Sequence, residues 1–202
     1  MNGRLGLFGG TFNPIHIGHL RLAEDVREEF DLDTVIFIPT NLPPHKKVKE
    51  NPGSSHRLAM VRHAITGNEH FKCDDVEIKR GGVSYTIDTI NYIYEKYQFT
   101  DKPFFIIGSD LLYEIHTWKN VESIKEKVHF IVLLRENWPL HENILSPKEE
   151  RSNYLYFKKR KLDITSSEVR KRRREGQSIR YLVTEGVLRY IIESNLYSGQ
   201  PQ

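Results

Sequence analysis

Short apolar runs alternate along this chain with longer stretches in which apolar residues return every three or four positions. That alternation predicts a parallel sheet with crossover helices rather than a sandwich of strands. Leu5, Leu7 and Phe8 make a first strand. After the loop from Gly9 to Pro14, Leu20, Ala23, Val26 and Phe30 recur at helical spacing, with Arg21, Glu24, Asp25, Glu28 and Glu29 between them, which predicts an amphipathic helix. Val35 to Ile38 form a second strand stopped by Pro39. A long polar loop follows, and then a helix through Leu58, Met60, Val61 and Ile65, for which Ser54 and Ser55 are candidate caps. A third strand is expected near Val76 to Ile78, before Gly81 and Gly82; a helix from about Thr86 to Tyr97; and a strongly apolar strand from Phe104 to Ile107.

Helical signals around Leu111 to Ile124 lead into a strand from Val128 to Leu134. Glu136 to Asn153, with Pro139 and Pro147, has little period and reads as an excursion. The end adds a strand near Lys161 to Ile164, a helix opened by Thr165, Ser166 and Ser167, and a last helix through Val187, Tyr190 and Ile191. The expected fold is α/β: a Rossmann-like open parallel sheet with helices on both faces and a small C-terminal helical part over about 165–197, all in a single domain spanning 1–202.

Composition narrows the partners. A hydrophobic fraction of 38% supports a packed core, and a formal charge of +3 suits an anionic ligand without deciding on one. The single cysteine, Cys73, excludes an internal disulfide and fits a reducing compartment. Met1 to Phe8 show no basic region followed by a long apolar run, and no later stretch approaches the length of a membrane span, so a cytoplasmic protein without a membrane partner is expected. The basic run from Lys171 to Arg174 lacks the interleaved aromatics of an RNA surface and reads as a solvated helix face, so no nucleic-acid partner is expected.

The chemistry concentrates after the first strand, in Gly9, Gly10, Thr11, Phe12, Asn13, Pro14, Ile15, His16, Ile17, Gly18 and His19. Paired glycines let the backbone approach a ligand closely, and a helix start offers amides and a positive dipole end to phosphate. His16 and His19, three apart, can both donate to one polyphosphate, with Gly18 leaving space between them for the nucleotide. Zinc is the competing idea for two histidines, but no third or fourth ligand sits at a suitable spacing.

GGTFNPIHIGH resembles the signature of the nucleotidyltransferase superfamily, whose HxGH element is shared with class I aminoacyl-tRNA synthetases; the chain is too short for a synthetase with its tRNA-binding parts. Ile164 to Arg170 resembles that superfamily's ISSTxIR motif, with Thr165 and Ser167 as departures. Through IPTNLPPHKK, GVSYTIDTI and IIGSDLLYEIHTWKN the chain resembles the bacterial nicotinate mononucleotide adenylyltransferase family over nearly its whole length.

The resemblance implies transfer of AMP from ATP to nicotinate mononucleotide, giving deamido-NAD and pyrophosphate. ATP would be held by Gly9, Gly10, Thr11, Phe12, His16, Gly18, His19, Gly108, Ser166, Ser167 and Arg170. The mononucleotide would be held by Thr11, Asn41, His45, Lys46, Ser84, Tyr85, Thr86, Asp110 and Trp118. In that set the Ser84 to Thr86 amides hold the nicotinate carboxylate, Trp118 stacks on the pyridine ring, and Asp110 contacts the ribose; Lys47, beside His45 and Lys46, serves equally well facing solvent.

His16, His19, Lys46 and Arg170 would act in catalysis, aligning two anions without a general base. Mg²⁺ is expected to be carried by ATP, with no metal ligand from the protein. All these loops except Ser84 to Thr86 are expected to leave the carboxyl edge of the sheet, where ligands of open parallel sheets bind. The alternatives are adenylyl or cytidylyl transfer to another phosphate acceptor, such as phosphopantetheine, and a non-catalytic nucleotide-sensing module. A homo-oligomer is compatible with either.

Overall fold

A computed structural model of the chain describes residues 3–43, 50–112, 114–134, 153–158 and 163–199. His45, Lys46, Lys47, Lys161 and nearly all of the 136–153 excursion lie outside the described residues. The first half runs β1 (Leu5–Gly10), α1 (Ile17–Glu29), β2 (Thr34–Pro39), α2 (Ser54–Ile65), β3 (Phe71–Cys73), α3 (Val76–Arg80) and α4 (Thr86–Lys96). The second half runs β4 (Phe104–Gly108), α5 (Ser109–Leu112), a 3-10 turn (Ile115–Thr117), α6 (Val121–Lys127), β5 (His129–Leu134), β6 (Tyr154–Lys158), α7 (Ser166–Arg174) and α8 (Glu185–Glu193).

Among the described residues six strands pair in the order β3-β2-β1-β4-β5-β6, and every pairing is parallel. The chain winds outward from β1 to β3, then returns to place β4 on the other flank of β1, so the order reverses between β1 and β4 and a crevice opens beyond their carboxyl ends. The Rossmann-like architecture expected from the alternation is the one observed.

Strands buried on both faces explain why the pattern reads as unbroken apolar runs. On one face Phe8, Val35, Phe37, Ile106 and Ile131 meet Leu22, Ala23 and Val26 of α1, Met60 and Val61 of α2, and Val169, Val187 and Ile191 of α7 and α8. On the other, Leu7, Ile36, Phe105, Phe130 and Val132 meet Ile87, Ile90 and Ile93 of α4 and Ile124 of α6. Each such side chain contributes roughly 1.5–3 kcal/mol. No described helix is long and apolar enough to cross a membrane.

Three expectations are corrected. Val76 to Ile78 is helical, because Asp74 Oδ1 accepts the Val76 N–H at 2.9 Å and opens α3; the edge strand is Phe71–Cys73 instead. The last strand is Tyr154–Lys158 rather than Lys161 to Ile164; its aromatic run pairs with β5 from Phe130↔Tyr154 onward, and Asp163 and Ile164 are not in a strand. Gly53, not a serine, caps α2, with φ 102°, and Ser54 and Ser55 are its first helical residues.

Candidate active site

The β1–α1 loop leaves β1 at Gly9 and Gly10 and is rigid for local reasons. Phe12 is buried, with its ring edge-on to Phe8 at 5.6 Å and to His19 at 5.3 Å. It lies so close over Gly10 that a Cβ there would come within 2.9 Å of the ring. His16 caps α1, and its ring centroid is 3.7 Å from that of His19. The His16 N–H donates to His19 Nδ1 at 3.2 Å. With Nδ1 accepting, the proton of a neutral His19 ring is assigned to Nε2, which makes that nitrogen a donor on the ring's far side.

A Cβ at Gly18 would lie 3.0 Å from His16 Nδ1, so the glycine leaves the space in which the His16 ring sits. The Ile17 N–H is spent on Leu182 O at 2.9 Å, and the His19 N–H returns to His16 O at 2.9 Å. Of the first three amides of α1, only that of Gly18 has no acceptor among the described residues.

The two distant motifs meet. Thr165, a departure from the motif, caps α7 by accepting the Glu168 N–H at 3.1 Å. Ser166 Oγ donates to Pro14 O at 2.8 Å, and Arg170 Nη1 donates to Asn13 O at 2.8 Å. Arg170 Nη2 reaches Ser167 Oγ at 3.3 Å, and Nε donates to Glu50 Oε2 at 2.7 Å; Arg174 also pairs with Glu50. The C-terminal segment adds Tyr197, whose hydroxyl donates to Asn13 Oδ1 at 2.7 Å and whose pKa is driven up, chiefly by burial. Glu50 thus places a carboxylate on the guanidinium expected to meet phosphate, a contact the sequence motifs do not show.

On the other side of the crevice, the Asn41 N–H donates to Ser84 Oγ at 3.1 Å and Asn41 Nδ2 to Gly82 O at 2.9 Å. The Ser84 N–H donates to Leu42 O at 2.9 Å, and Leu42 bridges Val83 in parallel. The Ser84 to Thr86 segment therefore stands beside the carboxyl edge too, correcting the expectation; with β3 ending at Cys73, the short α3 begins at that edge and the chain stays there. Tyr85 caps α4 without a side-chain bond, and the Thr86 and Ile87 N–H groups find no acceptor among the described residues. Trp118 is edge-on to Phe105 at 6.1 Å, and Lys119 stands 4.6 Å over the Tyr85 ring, which brings the Trp118 segment to the start of α4. Asp110 folds its carboxylate back over Gly108 at the end of β4.

Two buried ionisable residues went unread in the sequence. Arg57 is wholly buried and donates to Thr11 O at 2.7 Å, Asn41 O at 3.0 Å and Asn51 Oδ1 at 3.2 Å, tying the loops after β1 and β2 together. Burial lowers its pKa, and the charges of Tyr197 and Glu77 oppose that. Its signal was positional: Arg57 shares the buried stripe of α2 with Met60, Val61 and Ala64.

Glu77 is the second. A strand would have turned it away from Val76 and Ile78, whereas the helix buries it. Burial raises its pKa, and the hydroxyls of Ser84 and Thr89 and the charge of Arg80 pull it back. Among the described residues no group of three or more His, Cys, Asp or Glu side chains is placed to hold a metal ion.

A doubly wound sheet with paired histidines at its first helix and a serine- and arginine-bearing helix docked beside them defines a nucleotide-handling α/β protein. The chain belongs to the cytidylyltransferase-like family, whose profile matches residues 7–172. A relative from Desulfitobacterium hafniense is 41% identical, with 96% of this chain and 95% of the relative covered. One from Salinibacter ruber is 42% identical, with 96% and 97% covered. Both carry the name "Probable nicotinate-nucleotide adenylyltransferase". The fold is similar to that of Plasmodium falciparum nicotinic acid mononucleotide adenylyltransferase complexed with NaAD, with a TM-score of 0.76 at 22% identity, covering 96% of this chain and 97% of that one.

Proposed function

We propose that this chain is a nicotinate-nucleotide adenylyltransferase: it transfers AMP from ATP to the phosphate of nicotinate mononucleotide and releases pyrophosphate. The observation that carries the reading is the docking of Ser166 and Arg170 on Pro14 and Asn13, two and three residues before His16, at the switch point of the sheet. The two full-length relatives named above support the same activity.

A phosphate oxygen of the mononucleotide attacks the ATP α-phosphorus in line; the new P–O bond forms as the bond to the bridging oxygen breaks, and the electron pair leaves with pyrophosphate. Because the nucleophile is already ionised near neutral pH, the protein aligns two anions and shields their charge. His19 gives its Nε2–H to the triphosphate, with the tilted His16 ring packed against it. Arg170 neutralises the leaving pyrophosphate after exchanging Glu50 for it. Gly9, Gly10, Thr11, Phe12, Gly18, Gly108, Ser166 and Ser167 line the ATP side.

The open amides at the start of α4 receive the nicotinate carboxylate, and Trp118 covers the pyridine ring. Thr11, Asn41, Ser84 and Asp110 complete the acceptor side. His45 and Lys46, outside the described residues, follow Asn41 in the sequence and are assigned to the phosphates. Magnesium supplies charge neutralisation and comes with the ATP phosphates. The shared core of the sheet with α7 and α8 supports reading the chain as one domain.

The test supplies Mg·ATP with nicotinate mononucleotide, its amide analogue and phosphopantetheine in parallel and follows pyrophosphate. Release with nicotinate mononucleotide is expected. Release only with phosphopantetheine would make this another acceptor's enzyme, and ATP binding without release in any arm would make it a sensor.

A further inference from the structure

Glu77 takes no part in the mechanism above, yet it stands behind the acceptor segment at the centre of a directed chain of hydrogen bonds. Arg80 Nη2 donates to Thr89 Oγ1 at 3.1 Å, and Thr89 Oγ1 donates to Glu77 Oε1 at 2.8 Å. From the other end, the Asn41 N–H donates to Ser84 Oγ at 3.1 Å, which leaves the Ser84 proton to be given away. Glu77 Oε2 is buried with no hydrogen-bond partner of good geometry among the described residues, and both the Ser84 hydroxyl and the Asn41 N–H are near enough to act on that carboxylate.

Each hydroxyl oxygen already receives one donor, and a carboxylate, which only accepts, gives both protons an acceptor between them. A glutamine offers one acceptor oxygen where the carboxylate offers two, so one of the two hydroxyls loses its acceptor and must reorient to receive the NH₂.

We infer that Glu77 is a positioning residue for the acceptor: through Ser84 it holds the Asn41 loop against the start of α4, so that the Thr86 and Ile87 amides face the nicotinate carboxylate. The inference rests on the acceptor site proposed above. The hydrogen bonds of Glu77 lie on that side, and its charge also reaches Arg57, which ties Asn41 O to Thr11 O on the ATP side.

Steady-state KM for each substrate and kcat, measured on the full chain, separate this from a general structural role. Glu77→Gln and Thr89→Val are expected to raise the KM for nicotinate mononucleotide roughly tenfold while the KM for ATP stays within about twofold of wild type. Thr89→Ser, which keeps the hydroxyl, is expected to restore the acceptor KM. The double variant Glu77→Gln with Ser84→Ala is expected to be no worse than Ser84→Ala alone. Should Glu77→Gln fail to fold, the near-isosteric Thr89→Val and its Thr89→Ser rescue carry the test. Equal rises in both KM values, additive effects in the double variant, or a lower acceptor KM from relief of repulsion between two carboxylates would each overturn the inference. A wild type that releases no pyrophosphate overturns the acceptor reading itself, and that result appears before any variant is made.

Discussion

His19 has a ring set by its neighbour: its Nδ1 takes the His16 N–H, which assigns the proton of a neutral ring to Nε2, the donor proposed above for phosphate. His19→Ala is expected to lower turnover by about a hundredfold or more while leaving the unfolding midpoint near wild type. A purified variant with near-normal turnover would remove the residue from the mechanism. Glu77 carries a second expectation. Its carboxyl titrates above the ordinary value of 4.5, mainly because it is buried, so the proton is held more tightly in the folded state. Its contribution to stability is therefore complete below that ordinary value and is lost as pH rises through the raised one. The unfolding free energy of wild type minus that of Glu77→Gln should fall across that window, and a flat difference would contradict the burial argument.

The histidines and Arg170 were legible because their chemistry is concentrated in short motifs. Arg57 and Glu77 were not, since a charged residue on an apolar stripe looks like noise until its partners, backbone carbonyls and hydroxyls far along the chain, are known.

Among the elements, α2 does more than cover the sheet: it delivers a guanidinium to the carbonyls of two loops. Arg57→Met keeps most of the volume but strands those carbonyls, and it is expected to cost about 3 kcal/mol, read from urea unfolding. An unchanged midpoint would show that the loops do not need it. The long elements were readable from periodicity, as Leu22, Ala23 and Val26 in α1 and Ile90 and Ile93 in α4 illustrate. The short ones were not. Val-Glu-Ile alternates like a strand, and the turn closed by Asp74 Oδ1 on the Val76 N–H and the chain reversal at Gly81, with φ 71°, make it a helical turn. Tyr154 to Phe157 is a strand of consecutive aromatic and aliphatic residues, which carries neither period.

At the scale of the molecule, the alternation of strands and helices foretold the parallel sheet, and the β3-β2-β1-β4-β5-β6 order then dictates where the crevice opens. What pattern alone could not supply was the contact of α7 with the first loop, because Ser166 and Pro14 are 152 positions apart in sequence. That contact also explains the place of Glu50, which pairs with Arg170 and Arg174 where phosphate is expected. Glu50→Gln is expected to lower the KM for ATP a few-fold, a modest change because the pair is partly exposed. A raised KM would mean that Glu50 helps to seat the nucleotide.

A crystal structure with a non-hydrolysable ATP analogue and nicotinate mononucleotide bound together would test the meeting of these two segments most directly. The triphosphate should lie within hydrogen-bond distance of both His19 Nε2 and the Arg170 guanidinium, with Glu50 displaced. A triphosphate bound away from either group would contradict the mechanism.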